Sequence, residues 1–337
     1  MSIDLSLLDG KYDLLFEIQL GVRLGHRFQP TGFPDLGAAE FDTPYGRSLL
    51  VESAQSMANR LEAVCWDEGA NDVIEPLRGL SHVRVEDAEG AFLTSSMLEA
   101  HRINSVYIEK AQPSLHDELR SGLGGKDRPI DRRKLAQTLF RYDVGSLLHG
   151  VFLESIDGRL RVARAISAFI EADGIRLAAS GGVKNDRIQA TKDEERGRSA
   201  KEGFGNVPFP RDEYTAEKIT LYASIDLAQI RGYGLDEEPT RLLILLALFK
   251  LRSFVDSPMR LRTACCFELK SRDGIASRNV PEFKLPSYKD FVGDRGEDGR
   301  WTGELPRLIR ELTESKKGAA VPYGMCVRKV KFGPARG

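Results

Sequence analysis

The chain has 337 residues, 41% hydrophobic and 29% charged, with 49 Lys and Arg against 50 Asp and Glu and a formal net charge of −1. That length suits one elaborated domain or two small ones with a substantial core. The charge balance excludes a globally basic nucleic-acid binder, so any basic surface has to be local.

In chain order, Leu14, Phe16, Ile18, Leu20 and Val22 alternate with Leu15, Glu17, Gln19 and Arg23, which predicts a half-buried strand over 12–23. The stretch from Gly25 to Gly37 holds Gly, Pro and aromatics without periodicity and reads as an irregular loop. Its phenylalanines, with Arg23 and Arg27, suit either base stacking and phosphate contact or packing against their own domain.

A helix follows near Glu52 to Trp66. Ala54, Met57, Ala58, Leu61, Val64 and Cys65 share one face, and Ser53, Ser56, Asn59 and Arg60 share the other. Ser53 is a natural N-cap, which leaves free amides and the positive dipole end beside those polar side chains. That start is either an anion site or the solvated face of an ordinary amphipathic helix.

Farther on, His82 to Val85 reads as a short strand and Thr94 to Arg102 as a second capped helix start. Arg120 to Lys134 carries six basic residues against Asp127 and Asp131, a basic or merely solvated loop. Leu147 to Glu154 reads as a doubly buried strand in which Gly150 admits a close backbone or ligand. Leu160 to Ala172 reads as a helix with Ala163, Ile166, Phe169 and Ile170 inward.

The stretch 180–211 is a long polar excursion that mixes Lys184, Arg187 and Arg211 with Phe204 and Phe209, the pairing of single-strand binders. A strand over 217–227, an apolar helix over 239–255 and a strand over 260–269 follow. A short helix at 306–313 and a peripheral strand at 325–332 complete the reading. The strong elements run βαββαβ, an α+β, ferredoxin-like or RNA-recognition-type order. Large insertions fall at 67–146 and 155–216, within one elaborated domain over 1–337 that carries a peripheral segment at 271–337.

Cys65, Cys265, Cys266 and Cys326 form no C-x-x-C, which argues against zinc or a disulfide framework and for a reducing compartment. The N-terminus lacks a secretory pattern, and the longest apolar run, Leu242 to Phe249, is too short to span a bilayer. A cytoplasmic protein without a membrane partner is expected. His26, His82, His101, His116 and His149 show no metal-ligand spacing, and no nucleophile elbow or nucleotide-triphosphate loop is present. No catalytic residue, metal or cofactor is expected.

Several stretches together resemble the crRNA-binding backbone subunits of type I CRISPR interference complexes, in particular the RAMP-superfamily backbone protein of the type I-G (formerly I-U) system. They are Arg27-Phe-Gln-Pro-Thr-Gly-Phe-Pro-Asp-Leu-Gly37, Val51-Glu-Ser-Ala-Gln-Ser-Met-Ala-Asn-Arg-Leu-Glu62, Thr94-Ser-Ser-Met-Leu-Glu-Ala-His-Arg102, Ser146-Leu-Leu-His-Gly-Val-Phe152, Ser180-Gly-Gly-Val-Lys-Asn-Asp-Arg187, Gly203-Phe-Gly-Asn-Val-Pro-Phe209 and Leu261-Arg-Thr-Ala264. The resemblance runs from about residue 12 to about 270.

It implies a palm with a finger-like loop over 24–46 and a thumb over about 180–211. It also implies copies stacked head to tail along a guide RNA and other CRISPR subunits as partners, with target DNA reached by pairing to the guide. The helix at 52–66 matches the family's backbone-gripping helix, with Asn59 where a lysine is usual. The RNA-binding residues expected on these grounds are Arg23, Arg27, Phe28, Gln29, Ser53, Gln55, Ser56, Asn59, Arg60, Ser95, Arg102, Lys184, Asn185, Arg187, Phe204 and Arg211. An RNA endonuclease using His26, His101 or Tyr45, and a subunit without nucleic-acid contact, are the alternatives.

Overall fold

Leu14, Phe16, Ile18 and Leu20 point into the core from strand β1 (Asp13–Val22), and Glu17 and Gln19 point away from it. The computed structural model describes residues 2–33, 37–122, 129–156, 158, 160–184, 207–271, 274–313 and 323–333. A hairpin of β2 (Glu40–Thr43) and β3 (Gly46–Glu52) leads into helix α1 (Ala54–Ala63). Beyond it, α2 (Val144–His149) runs into the short pair β4 (Val151–Leu153) and β5 (Leu160–Val162).

Strand β6 (Ile166–Asp173) is followed by a two-stranded ribbon, β7 (Arg176–Lys184) and β8 (Val207–Thr215), and then by β9 (Lys218–Asp226). The long helix α3 (Glu237–Asp256), β10 (Met259–Arg262) and β11 (Cys265–Leu269) complete the principal layer.

Seven of these strands form one antiparallel sheet in the order β10-β11-β1-β9-β6-β3-β2. Helix α1 packs on β6 and α3, and α3 packs on β11. The interior of α3 is apolar almost all round, from Leu242 to Leu251 with Lys250 the exception, because other elements enclose it on every side. The molecule is a mixed α+β protein organised on this sheet.

Four expectations change. Leu160–Ala172 is not helical. It forms β5 and β6, where Ile166, Ala168, Ile170 and Ala172 are buried and Ser167, Phe169 and Glu171 face out. Ile166, Phe169 and Ile170 satisfy a helical period, whereas Ile166, Ala168, Ile170 and Ala172 satisfy an alternating one. Pairing with β9 from Ile166↔Ile225 to Asp173↔Lys218 decides for the strand. A sheet strand therefore lies inside the stretch expected to be an insertion.

Leu147–Glu154 is not one buried strand. The helix α2 ends at His149, and Gly150, at φ 76°, turns the chain into β4. Thr94–Arg102 is not a helix start either. It is the end of strand Phe92–Ser95, a turn in which the Ser95 carbonyl accepts from the Leu98 and Glu99 amides (2.9 and 3.1 Å), and the 3-10 turn Arg102–Asn104. Thr94 donates to Glu99 at 2.6 Å, so that hydroxyl fixes the turn.

The C-terminal stretch is integral. Strand Val327–Lys331 pairs in parallel with His82–Glu86, and helix Glu304–Thr313 buries Leu305, Leu308, Ile309 and Leu312 and packs on α3.

Candidate nucleic-acid interface

The outward side of α1 forms one wall of a cleft of about 930 Å³. Gln55 and Asn59, both exposed, line it from the helix. They stand there because Met57, Ala58 and Leu61 hold the opposite face against the core, and because Ser53 caps the helix by accepting from the Ser56 amide at 3.2 Å. His101, Arg102 and Asn104 line it from the 3-10 turn, and His149 to Phe152 from the junction of α2 and β4. Arg161 to Arg164 line it from β5 and the turn after it, and Arg132 from the start of helix Arg132–Tyr142. Gly150 makes this junction possible: a Cβ there would lie 2.8 Å from the Val162 carbonyl oxygen.

Three arginines converge on the cleft, which Glu154 also lines, and none makes an ion pair with a carboxylate among the described residues. Among the described residues Arg132 and Arg164 have no hydrogen bond or ion pair, and Arg161 has only the Phe152 ring, 4.2 Å from its guanidinium carbon. An arginine without a carboxylate next to it retains its capacity for an external anion, and a planar guanidinium suits phosphate. Two exposed amides, an aromatic ring and three available guanidinium groups are the parts of a sugar–phosphate binding surface.

The floor is built differently. Arg102 is buried and bonded to both carboxylate oxygens of Glu62, at 2.8 and 2.7 Å, and its third contact is the Gly150 carbonyl at 3.3 Å. Burial pushes the Glu62 carboxyl up, against the opposing pull of Arg102 and Lys250, and burial does the same to Asp143. His149 is 1% exposed, and neither ring nitrogen has a hydrogen-bond partner among the described residues. Burial first, then the positive charges of Lys250, Arg102 and Arg164, hold its imidazole well below the usual histidine range. It is neutral at pH 7.

At the N-terminus of α1 the arrangement is structural. Glu52, at the end of β3, is fully buried. Arg60 meets it at 2.7 Å and donates to the Leu261 carbonyl at 2.5 Å; Arg262 and the Ser56 hydroxyl also meet Glu52. Burial lowers the Arg60 pKa. Arg60 therefore ties α1 to the sheet edge, and Ser53 and Ser56 are occupied by the cap and by Glu52.

The remaining expected residues lie elsewhere. Phe28 is a core residue, edge-on to Phe267 at 5.7 Å, because its backbone bridges to Tyr214 with both N–H···O distances at 2.9 Å. Arg27 pairs with Glu213 at 3.3 Å and reaches the Ser180 hydroxyl at 3.3 Å, and Arg211 pairs with the same Glu213 at 3.5 Å. Gln29, Arg211 and Arg262 line a second hollow of about 560 Å³ between the loop and the ribbon. Arg23 is exposed beside a third, with Phe267 and Glu268. Ser95 is buried. Lys184 ends β7, and Asn185, Arg187 and Phe204 lie outside the described residues.

The cleft thus brings together Gln55, Asn59 and Arg102 from the expected set. It adds Asn104, Phe152, Arg161 and Arg164, which that set lacked, with His101, His149 and Arg132, noted in the sequence for other reasons. The signal for Arg161 and Arg164 was hidden by the helical reading of 160–172. Among the described residues no group of three or more His, Cys, Asp or Glu side chains could hold a metal ion, and no helix is long and apolar enough to cross a membrane.

Residues 14–177 match the model of a family described as CRISPR-associated protein GSU0053 (Cas_GSU0053). No curated protein matches the chain. Among solved structures, a chain of a "CRISPR RNA-guided surveillance complex, pre-nicking" is 11% identical, with a TM-score of 0.38 over 96% of each chain. One from a "CRISPR RNA-guided surveillance complex" is 13% identical, with a TM-score of 0.34 over 75% of this chain and 65% of that one. Csc2 of Thermofilum pendens is 10% identical, with a TM-score of 0.31 over 90% of this chain and 74% of that one. Likeness at that level carries no argument about function. The family match does bear on the site, since each cleft-lining residue falls within it. Residues 14–177 therefore carry the pattern of the CRISPR-associated GSU0053 family.

Proposed function

We propose that this protein is a non-catalytic, RNA-binding structural subunit of a CRISPR surveillance complex, and that the cleft beside α1 holds the sugar–phosphate backbone of the guide. The observation that carries this reading is the convergence of Arg132, Arg161 and Arg164, none with an acidic partner among the described residues, on a cleft walled by Gln55 and Asn59. A grip on phosphate and sugar leaves base edges free to pair, so sequence is read by the guide and the protein reads only its backbone.

In this reading the strand order β11-β1-β9-β6 is that of a ferredoxin-like palm, with α1 and α3 as its two helices. The ribbon β7–β8 is the base of the thumb, and Arg23, Arg27, Gln29, Lys184 and Arg211 extend the contact along loop and ribbon. Copies stack head to tail along one guide, a heterologous contact that does not close a ring.

Binding of a short single-stranded RNA, measured against salt concentration, tests the reading. Each phosphate neutralised contributes about −0.7 to the slope of log K against log salt. Replacing Arg132, Arg161 and Arg164 together with Gln flattens the slope by about 2 and weakens binding without changing the melting temperature. A slope that stays unchanged in that variant would sink the assignment of the cleft.

A further inference from the structure

The floor of the cleft holds one side chain that phosphate does not explain. His149 ends α2, lines the cleft, and has neither a donor nor an acceptor for its two ring nitrogens among the described residues. A buried polar group is nearly always hydrogen-bonded, and an orphaned one asks what completes it. Water could complete it; so could a group that arrives with the ligand, and the cleft position favours the second.

The chemistry of that group follows from the imidazole's charge state. The charged groups that act on it, Lys250, Arg102 and Arg164, are all cationic and oppose a proton on the ring, and Arg102 is itself neutralised by Glu62. A neutral imidazole presents one N–H donor and one bare nitrogen acceptor. Phosphate oxygens are acceptors only, so they satisfy half of it at most. A hydroxyl is both donor and acceptor and matches both. Asn59 and Gln55, exposed on the wall of the same cleft, carry the same dual character in their amides. Arginines at the rim and a donor–acceptor group at the floor make a surface that alternates between anion and hydroxyl sites.

We infer that His149, with Asn59 beside the same cleft, forms a hydroxyl subsite that takes the ribose 2′-hydroxyl and so makes the cleft selective for RNA over DNA. This rests on the reading of the cleft as a nucleic-acid site and adds to it the class of sugar. The ring is closed to bulk water, so the hydroxyl reaches it only as the strand settles and neighbouring side chains shift, with Arg164, half-buried and free of ion pairs among the described residues, best able to move. Phosphates engage the rim first and the hydroxyl engages the floor afterwards. Arg132, Arg161 and Arg164 then set affinity, and His149 sets the choice between ribose and deoxyribose.

The test compares the full-length protein on four short single-stranded probes of one sequence: RNA, DNA, 2′-O-methyl RNA and 2′-fluoro RNA. The 2′-O-methyl group accepts but cannot donate, and fluorine does neither well. Dissociation constants by fluorescence anisotropy are expected to favour RNA over each of the other three by about fivefold or more, the worth of one net hydrogen bond. His149→Leu is expected to reduce the RNA-to-DNA ratio by about fivefold while leaving the salt slope unchanged. His149→Gln, which restores a donor and an acceptor, is expected to retain part of the preference, and it serves as the measurement if the leucine variant does not fold.

An unchanged RNA-to-DNA ratio in both variants overturns the subsite, and so does a wild-type protein that binds all four probes equally. In either case binding itself still stands and the cleft remains a nucleic-acid site. A wild-type protein that binds none of the probes overturns the cleft reading as well, so the two failures are separate.

Discussion

Arg102 and Glu62 meet side by side beneath the cleft, Nε to Oε1 at 2.8 Å and Nη2 to Oε2 at 2.7 Å, with both side chains almost closed to solvent. The pair joins the 3-10 turn to α1, and Arg102 adopts φ 50° to make it. Breaking a buried pair leaves one charge without compensation, which costs about 3–5 kcal/mol. Arg102→Leu and Glu62→Leu are each expected to destabilise by that amount in urea unfolding, whereas the double variant recovers most of it. Additive losses in the double variant would show that the two side chains do not act as a unit.

Gly150 is the second sensitive position. Alanine there places a methyl group 2.8 Å from the Val162 carbonyl oxygen at a φ of 76°. The left-handed conformation alone costs roughly 1–2 kcal/mol for a residue with a side chain. Gly150→Ala is expected to destabilise by at least about 2 kcal/mol and to weaken RNA binding, because β5 moves with Arg161 and Arg164. Unimpaired binding at full stability in that variant contradicts the packing described.

Burial depresses the pKa of both His149 and His82 below the ordinary histidine value of 6.5. The unfolded chain therefore takes up protons below about pH 6.5 that the folded protein does not. Stability is fully present above that pH and falls as pH is lowered, by up to about 1.4 kcal/mol per pH unit for each histidine. His149→Leu is expected to lessen the decline between pH 6.5 and pH 5 in chemical unfolding. A decline equally steep in the variant places its origin in other groups.

Arg60 and Arg164 are expected to behave oppositely. Arg60→Ala removes a charge-assisted bond to the buried Glu52 carboxylate, and it costs about 2 kcal/mol of stability. Arg164→Ala has no such partner to lose among the described residues, so it is expected to lower RNA affinity at unchanged melting temperature. Ser53→Ala removes only the cap of α1 and is expected to cost about 1 kcal/mol. Calorimetry and anisotropy on the three variants separate these effects.

Much of this was legible beforehand where one period governed the residues. The alternation from Leu14 to Leu20 and the face of Met57, Ala58 and Leu61 each have a single reading, and the structure has them as a strand and a helix. Ser53 as a cap was legible for the same local reason. Ile166 and Ile170 fit two periods, with Phe169 completing the helical one and Ala168 the alternating one, and only the partner strand β9, far along the chain, decides between them. Arg60 and Arg102 read as RNA contacts in the sequence because local spacing does not reveal their buried partners, Glu52 at the end of β3 and Glu62 on α1. The cleft is assembled from α1, the 3-10 turn, α2, β5 and the start of helix Arg132–Tyr142. No single window of sequence contains it.

The parallel pairing of Val327–Lys331 with His82–Glu86 has a consequence for synthesis. During translation the strand at 82–86 emerges long before its partner, and Val83 and Val85, buried in the finished molecule, wait until residues 327–331 have been made. The 3-10 turn that bears Arg102 follows directly from this small sheet. That small sheet can therefore settle only once residues 327–331 are available to pair.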